Sequence, residues 1–241
     1  MSCNVLLLAA GPGRSGEAEN SYPLCLTELD GVTLIEKIIE TTRQIVGARY
    51  YIAILERDIL RLHLDKVMQQ LIPGVTVVRI PEDTKGSACT ALIAAVQMQG
   101  DTPLLIISAN ELVELELNAV LQDFQFRSLD GGTLIFRSRN PRYTFVQLGE
   151  NHLVEETAAQ RPISDHATAG IFWFARTSAF VEAAKNLIRK DSAVNGNFFV
   201  GLTFNELILK RDRVGVHQIP QGAYFPLKTQ QQIKRYETGG T

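Results

Sequence analysis

Four short apolar runs rich in β-branched residues, Asn4–Ala9, Tyr50–Leu55, Val75–Ile80 and Pro103–Ser108, alternate with longer segments in which apolar residues recur at helical spacing, Thr33–Ile45, Arg57–Leu71 and Ser87–Met98. Gly47 and Pro73-Gly74 punctuate the ends of two helical segments. Short β-branched runs suit strands, and the one-sided apolar pattern of the intervening segments suits helices laid over them. The alternation predicts β-α-β-α-β-α-β, a mostly parallel sheet covered by helices.

The texture changes after Ser108. A helical stretch around Leu115–Phe126 leads into short strands near Thr133–Arg137, Phe145–Leu148 and Thr168–Phe174. Helices at Ser178–Ile188 and around Phe204–Lys210 follow, then a strand at Val214–Ile219 and a final helix from Thr229. This second half is expected to be mixed or antiparallel. No low-complexity linker or fixed-period repeat divides the 241 residues, so one α/β domain is the expected organisation.

Charge narrows the partners. A formal net charge of -2 leaves no basic field to draw nucleic acid or an anionic membrane surface, so any phosphate recognition must be local. The apolar run from Val5 to Ala10 has no positive leader and is too short to span a membrane, and the chain is read as cytoplasmic. Cys3, Cys25 and Cys89 are odd in number and widely spaced, as befits reduced, buried thiols rather than a zinc site or disulfide framework. The four histidines, His63, His152, His166 and His217, form no metal-ligand spacing.

Chemistry concentrates after the first strand. Gly11, Gly13 and Gly16 match G-x-G-x-x-G, and glycines there let backbone amides approach an anion. A dinucleotide fingerprint must turn directly into a helix, whereas Glu17–Cys25 is polar and contains Pro23. The long connection points instead to a functional loop, since such links usually run about two to six residues. A nicotinamide-dependent oxidoreductase is therefore the weakest of three readings.

The other two rest on a resemblance. Ala9-Ala10-Gly11-Pro12-Gly13-Arg14, then Tyr22-Pro23-Leu24-Cys25-Leu26, then Gly31-Val32-Thr33-Leu34-Ile35 resemble the A-A-G-x-G-x-R, P-K-P-L and G-x-P-L/M-I segments of the sugar-phosphate nucleotidyltransferases, the nucleotide-sugar pyrophosphorylases. Lys85-Gly86-Ser87-Ala88 is similar to that family's G-T/S-A helix start. Glu155-Glu156, Arg161-Pro162, Ala169-Gly170, Asn195-Gly196-Asn197-Phe198-Phe199 and Asn205-Glu206-Leu207 look like the acceptor side of its small, capsule-associated members.

The resemblance implies a Rossmann-like three-layer α/β/α sandwich with a mixed sheet. It implies a nucleotide-side half over about 1–126 and an acceptor-side half over about 127–241. The reaction implied is nucleotidyl transfer from a nucleoside triphosphate to a sugar phosphate, with Mg2+, in nucleotide-sugar or capsule metabolism. Carried over by position, Ala10, Gly11, Gly13, Lys85, Gly86 and Ser87 bind nucleotide, Arg14 is catalytic, Glu155, Arg161, Gly170 and Asn195 bind acceptor, and Asn110 and Glu111 stand at the family's metal position, with no metal ligand assigned.

The active-site pattern departs from the family at several places. Ser15 stands in the slot of the loop arginine, with Arg14 one residue earlier, and Leu24 replaces the P-K-P-L lysine. The metal-binding G-D pair reads Ala109-Asn110-Glu111, and the region of the second aspartate reads Phe225-Pro226-Leu227-Lys228-Thr229. These departures open the alternative of a catalytically inactive member that binds a nucleotide or nucleotide sugar as sensor, partner subunit or scaffold. The oligomeric state is left open between monomer and homo-oligomer. Two geometric expectations follow. Gly11–Gly13 should lie at the carboxyl end of a central parallel strand with Glu17–Cys25 across a cleft, and Asn110 and Glu111 should reach that cleft's rim. Tyr143, Phe145, Phe172, Trp173 and Phe174 are expected in the core.

Overall fold

The computed structural model describes residues 2–11, 22–82, 84–98, 101–220, 222–227 and 229–238. Along the chain come β1 (Cys3–Leu8), β2 (Glu28–Leu29), β3 (Val32–Thr33), α1 (Leu34–Thr42), β4 (Ala48–Leu55), α2 (Glu56–Leu62), α3 (Leu64–Leu71), β5 (Thr76–Ile80), α4 (Ser87–Ala95), β6 (Leu104–Ser108) and β7 (Glu111–Val113). Next are α5 (Leu117–Phe126), β8 (Gly131–Arg137), β9 (Thr144–Leu148), β10 (Val154–Ala159), β11 (His166–Phe174), α6 (Thr177–Arg189), α7 (Thr203–Leu209), β12 (Val214–Gln218), β13 (Tyr224–Pro226) and α8 (Gln230–Glu237).

The first half follows its pattern closely. β1 pairs in parallel with β4 and β6, and β4 with β5. Side chains alternate across these strands, and both faces are buried. Val5, Leu7, Ile52, Ile54, Leu105 and Ile107 enter a core with α1, α2, α3, α5 and α8. Leu6, Ala53, Leu55, Leu104 and Ile106 enter a second core with α4, α6 and α7. The result is the expected three-layer sandwich. Among the described residues no helix is long and apolar enough to cross a membrane.

One helix expectation needs correction. The segment Arg57–Leu71 is two helices, α2 and α3, broken at His63, which takes a left-handed conformation (φ 52°). Ile59, Leu64 and Met68 are all buried in one core. Five residues of unbroken helix would place Ile59 and Leu64 about 140° apart around the axis, so the break brings both to the same side.

The second half is mixed, as expected. β11 runs antiparallel to β6, β8 and β9, while β12 is parallel to β8. Along β11, Ile171–Phe174 pairs with β6, whereas Ala167 meets Phe145 of β9. The change of neighbour falls at a register shift around Gly170, whose φ is +67°. A left-handed residue inside a strand is the mark of a bulge that turns it. β10 escaped the sequence reading because Val154–Ala159 carries two adjacent exposed glutamates after its first residue, which breaks the alternation, and pairs only with β9 at the sheet edge. β7 and β13 are three residues each, too short for a period, and pair with one another.

Candidate functional site

Strands β1 and β6 lie side by side in parallel, so their carboxyl ends open on the same edge of the sheet. Gly11 follows β1 there, with open space where a Cβ would stand. A cleft of about 350 Å³ begins at this point and gathers Ala10, Gly11, Gly86, Ser87, Asn110, Glu111 and Gly170 from the sequence-predicted set. Its volume lies at the small end of the range usual for small-molecule sites. Gly13, Arg14 and the rest of residues 12–21 lie outside the described residues.

On one wall, Gly86 (φ +95°) precedes α4, and a Cβ there would meet the Phe198 carbonyl oxygen at 2.5 Å. Only glycine fits such an approach at such a φ. The Phe198 N–H donates to the Lys85 carbonyl at 2.8 Å and the Ala88 N–H to the Phe198 carbonyl at 2.9 Å, tying the 197–199 segment to the helix start. Cys89 and Thr90 donate back to the Gly86 carbonyl. The amides of Ala88, Cys89 and Thr90 in the first turn are thus already committed within the protein. Ser87 is not the N-cap: Gly86 is, and the Ser87 hydroxyl accepts from the Val200 N–H at 3.2 Å.

The floor comes from β6. Two consecutive residues of a continued strand would point to opposite faces. Here β6 stops at Ser108, the chain turns through Ala109 and Asn110, and Glu111 opens β7, so Asn110 and Glu111 both line the cleft. The Glu111 carboxylate is 8% exposed and accepts from the Tyr224 hydroxyl at 2.5 Å. Burial together with the neighbouring Glu111 and Tyr143 pushes the Tyr224 phenol well above its ordinary pKa, so Tyr224 is the proton donor of the pair. Gly170 makes room for this carboxylate: a Cβ on it would sit 3.0 Å from the Glu111 carboxyl carbon and 3.0 Å from Oε1.

Asn110 Oδ1 is buried with no hydrogen-bond partner among the described residues. A buried acceptor of this kind calls for a partner. With the Glu111 carboxylate it offers one neutral and one charged oxygen, a set that fits a Mg2+ ion brought in on phosphates and keeping most of its water. It does not amount to a closed cage, and no group of three or more His, Cys, Asp or Glu among the described residues is placed to hold a metal.

Four residues expected at the site stand elsewhere. Lys85 is exposed beside the cleft and contributes its carbonyl to Phe198. Arg161 pairs with Glu156 at 2.6 Å on the surface, and the Asn195 amide donates to Gln160 Oε1 at 2.6 Å. Glu155 lines a separate depression with Arg211 and Arg213. All four lie in turns or at the β10 edge, where a residue's neighbours depend on chain direction and not on spacing. Conversely, Thr84, Thr90, Ser108, Arg142, Tyr143, Thr144, Thr168 and Phe172 line the cleft without having been singled out for it, and Asn197 and Phe199 line it from the segment likened to the acceptor side. Tyr143, read as core, is half-buried at the cleft, whereas Phe145, Phe172, Trp173 and Phe174 are in the core as expected, Phe172 at the cleft's inner side. A signal for the loop existed in Asn140-Pro141-Arg142, a turn cluster just before a strand.

No protein-family model matches the sequence, and no curated protein matches it either. Solved structures do. The nucleoside-diphosphate-sugar pyrophosphorylase from Vibrio cholerae RC9 superposes with a TM-score of 0.83 at 19% identity, over 98% of this chain and 99% of that one. A Bacillus anthracis protein described as a glucose-1-phosphate thymidylyltransferase, in complex with sucrose, gives 0.75 at 15% identity over 98% and 94%. A UDP-glucose pyrophosphorylase complexed with UDP-glucose gives 0.75 at 15% identity over 99% and 98%. From end to end, this chain has the fold of the nucleotide-sugar pyrophosphorylases.

Proposed function

We propose that the cleft holds a nucleotide and a sugar phosphate and that its reaction is nucleotidyl transfer between them, in nucleotide-sugar or capsule metabolism. The observation that carries this reading is the convergence of Gly11, Gly86–Ser87, Asn110–Glu111 and Gly170 on one cleft at the ends of β1 and β6. The whole chain acts as one domain, with the nucleotide side in about residues 1–126 and the acceptor side in about 127–241.

In this reading an oxygen of the sugar phosphate attacks the α-phosphorus of the triphosphate. The bond to the bridging oxygen of the β-phosphate breaks, and pyrophosphate leaves. The chain's task is to position the two partners and to stabilise charge on the transferring phosphoryl group. Ala10, Gly11 and Gly13 let the phosphates approach the backbone, and Ser87 meets them from the start of α4. Arg14 brings a cation from the loop. When bound, Mg2+ supplies charge neutralisation between phosphates, with Asn110 and Glu111 as its protein oxygens. Thr144, Thr168 and Asn197 offer hydroxyls and an amide to sugar hydroxyls.

A second reading, binding without transfer, is favoured by one feature: the carboxylate at the cleft floor is already engaged by Tyr224, and its neighbour Asn110 carries no charge. The two readings separate in a panel assay of pyrophosphate release, run across nucleoside triphosphates and sugar phosphates with and without magnesium. Calorimetric titration of triphosphates and nucleotide sugars runs beside it. Magnesium-dependent release supports transfer. Nucleotide-sugar binding with no release supports the second reading, and an absence of both refutes the assignment of the cleft.

A further inference from the structure

Away from the cleft, five strands close on themselves. Ala167 of β11 pairs with Phe136 of β8 on one edge and with Phe145 of β9 on the other, while β12 adds to β8 and β10 adds to β9. An isolated antiparallel bridge between Leu153 and Gly215 then joins the start of β10 to β12 and completes the ring. A pocket of about 500 Å³ lies at this closure and shares no lining residue with the cleft. Its volume falls within the range usual for small-molecule sites.

Gly215 shapes one wall. A Cβ there would stand 2.9 Å from Nη2 of Arg127 and 2.4 Å from Cδ1 of Leu129, so the bare backbone admits the guanidinium beside β12. Nη1 of Arg127 donates to Asp123 at 3.2 Å and to the Val216 carbonyl at 3.1 Å, which fixes the group at the pocket. Its Nη2 and Nε have no hydrogen bond to any described residue. A second wall is the turn between β9 and β10, where His152 takes a left-handed conformation (φ 54°) and its N–H donates to the Gly149 carbonyl at 3.1 Å. A non-glycine residue held there carries a backbone cost, and such residues recur at ligand clamps.

Asn151 and His152 reach the pocket from this turn with side chains that make no hydrogen bond or ion pair among the described residues. His166 and Gln218 complete the polar lining, and Ile135, Leu148 and Val216 supply apolar surface. All five polar side chains carry N–H donors, and no Asp or Glu stands among the described lining residues. Two carboxylates behind the lining are already paired, Asp123 with Arg127 and Asp165 with Arg137, the latter 3.7 Å from His166 Nε2.

We infer that this pocket is a second binding site, independent of the function proposed above, for a small organic anion whose carboxylate or phosphate meets Arg127 and His152 and whose apolar body lies on Ile135, Leu148 and Val216. A guanidinium with donors to spare is matched by an oxyanion. The apolar floor separates an organic anion from bare phosphate.

The probes are benzoate, phenyl phosphate, inorganic phosphate and the neutral benzamide, titrated into the whole chain and into His152→Asn and Arg127→Gln. Asparagine tolerates left-handed backbone, so His152→Asn keeps the turn, and circular dichroism checks that both variants fold. Nuclear magnetic resonance of the imidazoles reports where a probe sits. Benzoate or phenyl phosphate should shift His152 and His166 while leaving His63, in the break between α2 and α3, unmoved. The probe that does so should bind about tenfold more tightly than benzamide and than inorganic phosphate. Each variant should weaken it by about fivefold or more, and if one fails to fold the other decides. Whichever of benzoate and phenyl phosphate binds more tightly names the source of the oxyanion. Benzamide binding as tightly as the anions overturns the assignment of charge, and inorganic phosphate binding as tightly overturns that of the apolar floor. Binding without shifts at His152 and His166 lies elsewhere in the protein. That result, no binding by either organic anion, or an affinity unchanged in the variants overturns the site while leaving the cleft assignment standing.

Discussion

Replacing Gly170 by alanine perturbs the fold and the cleft at one point, and the two costs can be separated. At φ +67° an alanine bears a left-handed backbone penalty of about 1–2 kcal/mol. The new Cβ also arrives 3.0 Å from the carboxyl carbon and Oε1 of Glu111 and 3.1 Å from the Ser108 Cβ. The carboxylate must yield by a few tenths of an ångström, yet it is buried and held by the 2.5 Å bond from Tyr224. Crowding of that kind adds about another 1 kcal/mol. The total, about 2–3 kcal/mol, against an unfolding entropy of about 0.5 kcal/mol per kelvin for a chain this long, lowers Tm by about 4–6 °C. Gly74→Ala is the internal control, because Gly74 has φ +82° and nothing within 4 Å of its absent Cβ, so it feels the backbone cost alone. Both variants would be followed by calorimetry and urea unfolding. Equal losses in the two would refute the account of Glu111 crowding, and an unchanged Gly170→Ala would refute the bulge argument altogether.

Two further outcomes can be checked on the same instruments. Tyr224→Phe removes the hydroxyl from a buried carboxylate and should cost about 1.5–3 kcal/mol in urea unfolding, a loss that shrinks when Glu111→Gln is combined with it in a double-mutant cycle. Burial pushes the Cys3 and Cys25 thiols up to about 12 from an ordinary 9.0, with Asp58 adding to the effect at Cys25. The folded protein therefore keeps protons that the unfolded chain gives up: the stabilisation is complete below pH 9 and is lost as pH rises toward 12, at about 1.4 kcal/mol per pH unit per thiol. Cys25→Ala should flatten that slope.

The sequence carried the layered sheet because β1, β4 and β6 are buried on both faces, and apolar runs bounded by turn residues announce such strands directly. It carried Gly11, Asn110 and Glu111 as cleft residues because they stand at the ends of those legible strands. Legibility failed where position depends on a single backbone angle. His63 splits one apparent helix into two, and the bulge at Gly170 swings β11 from β6 to β9. It failed again for Arg142, which reaches the cleft from a turn whose direction no periodicity records. The pairing of Glu111 with Tyr224 spans 113 positions and leaves no local trace.

That pairing also sets an order of assembly. A chain emerging from its amino end can form the parallel strands β1, β4, β5 and β6 first, but the open side of β6 waits for β11, which follows α5, β8, β9 and β10. Non-local pairing of this kind is slow and leaves an apolar edge bare in the meantime. β7 waits longest, since its partner β13 is the last strand to appear. The cleft carboxylate thus meets the Tyr224 hydroxyl only when synthesis is nearly complete, and a chain cut short before Tyr224 would retain the strands of the main sheet yet lack that hydrogen bond at the cleft floor.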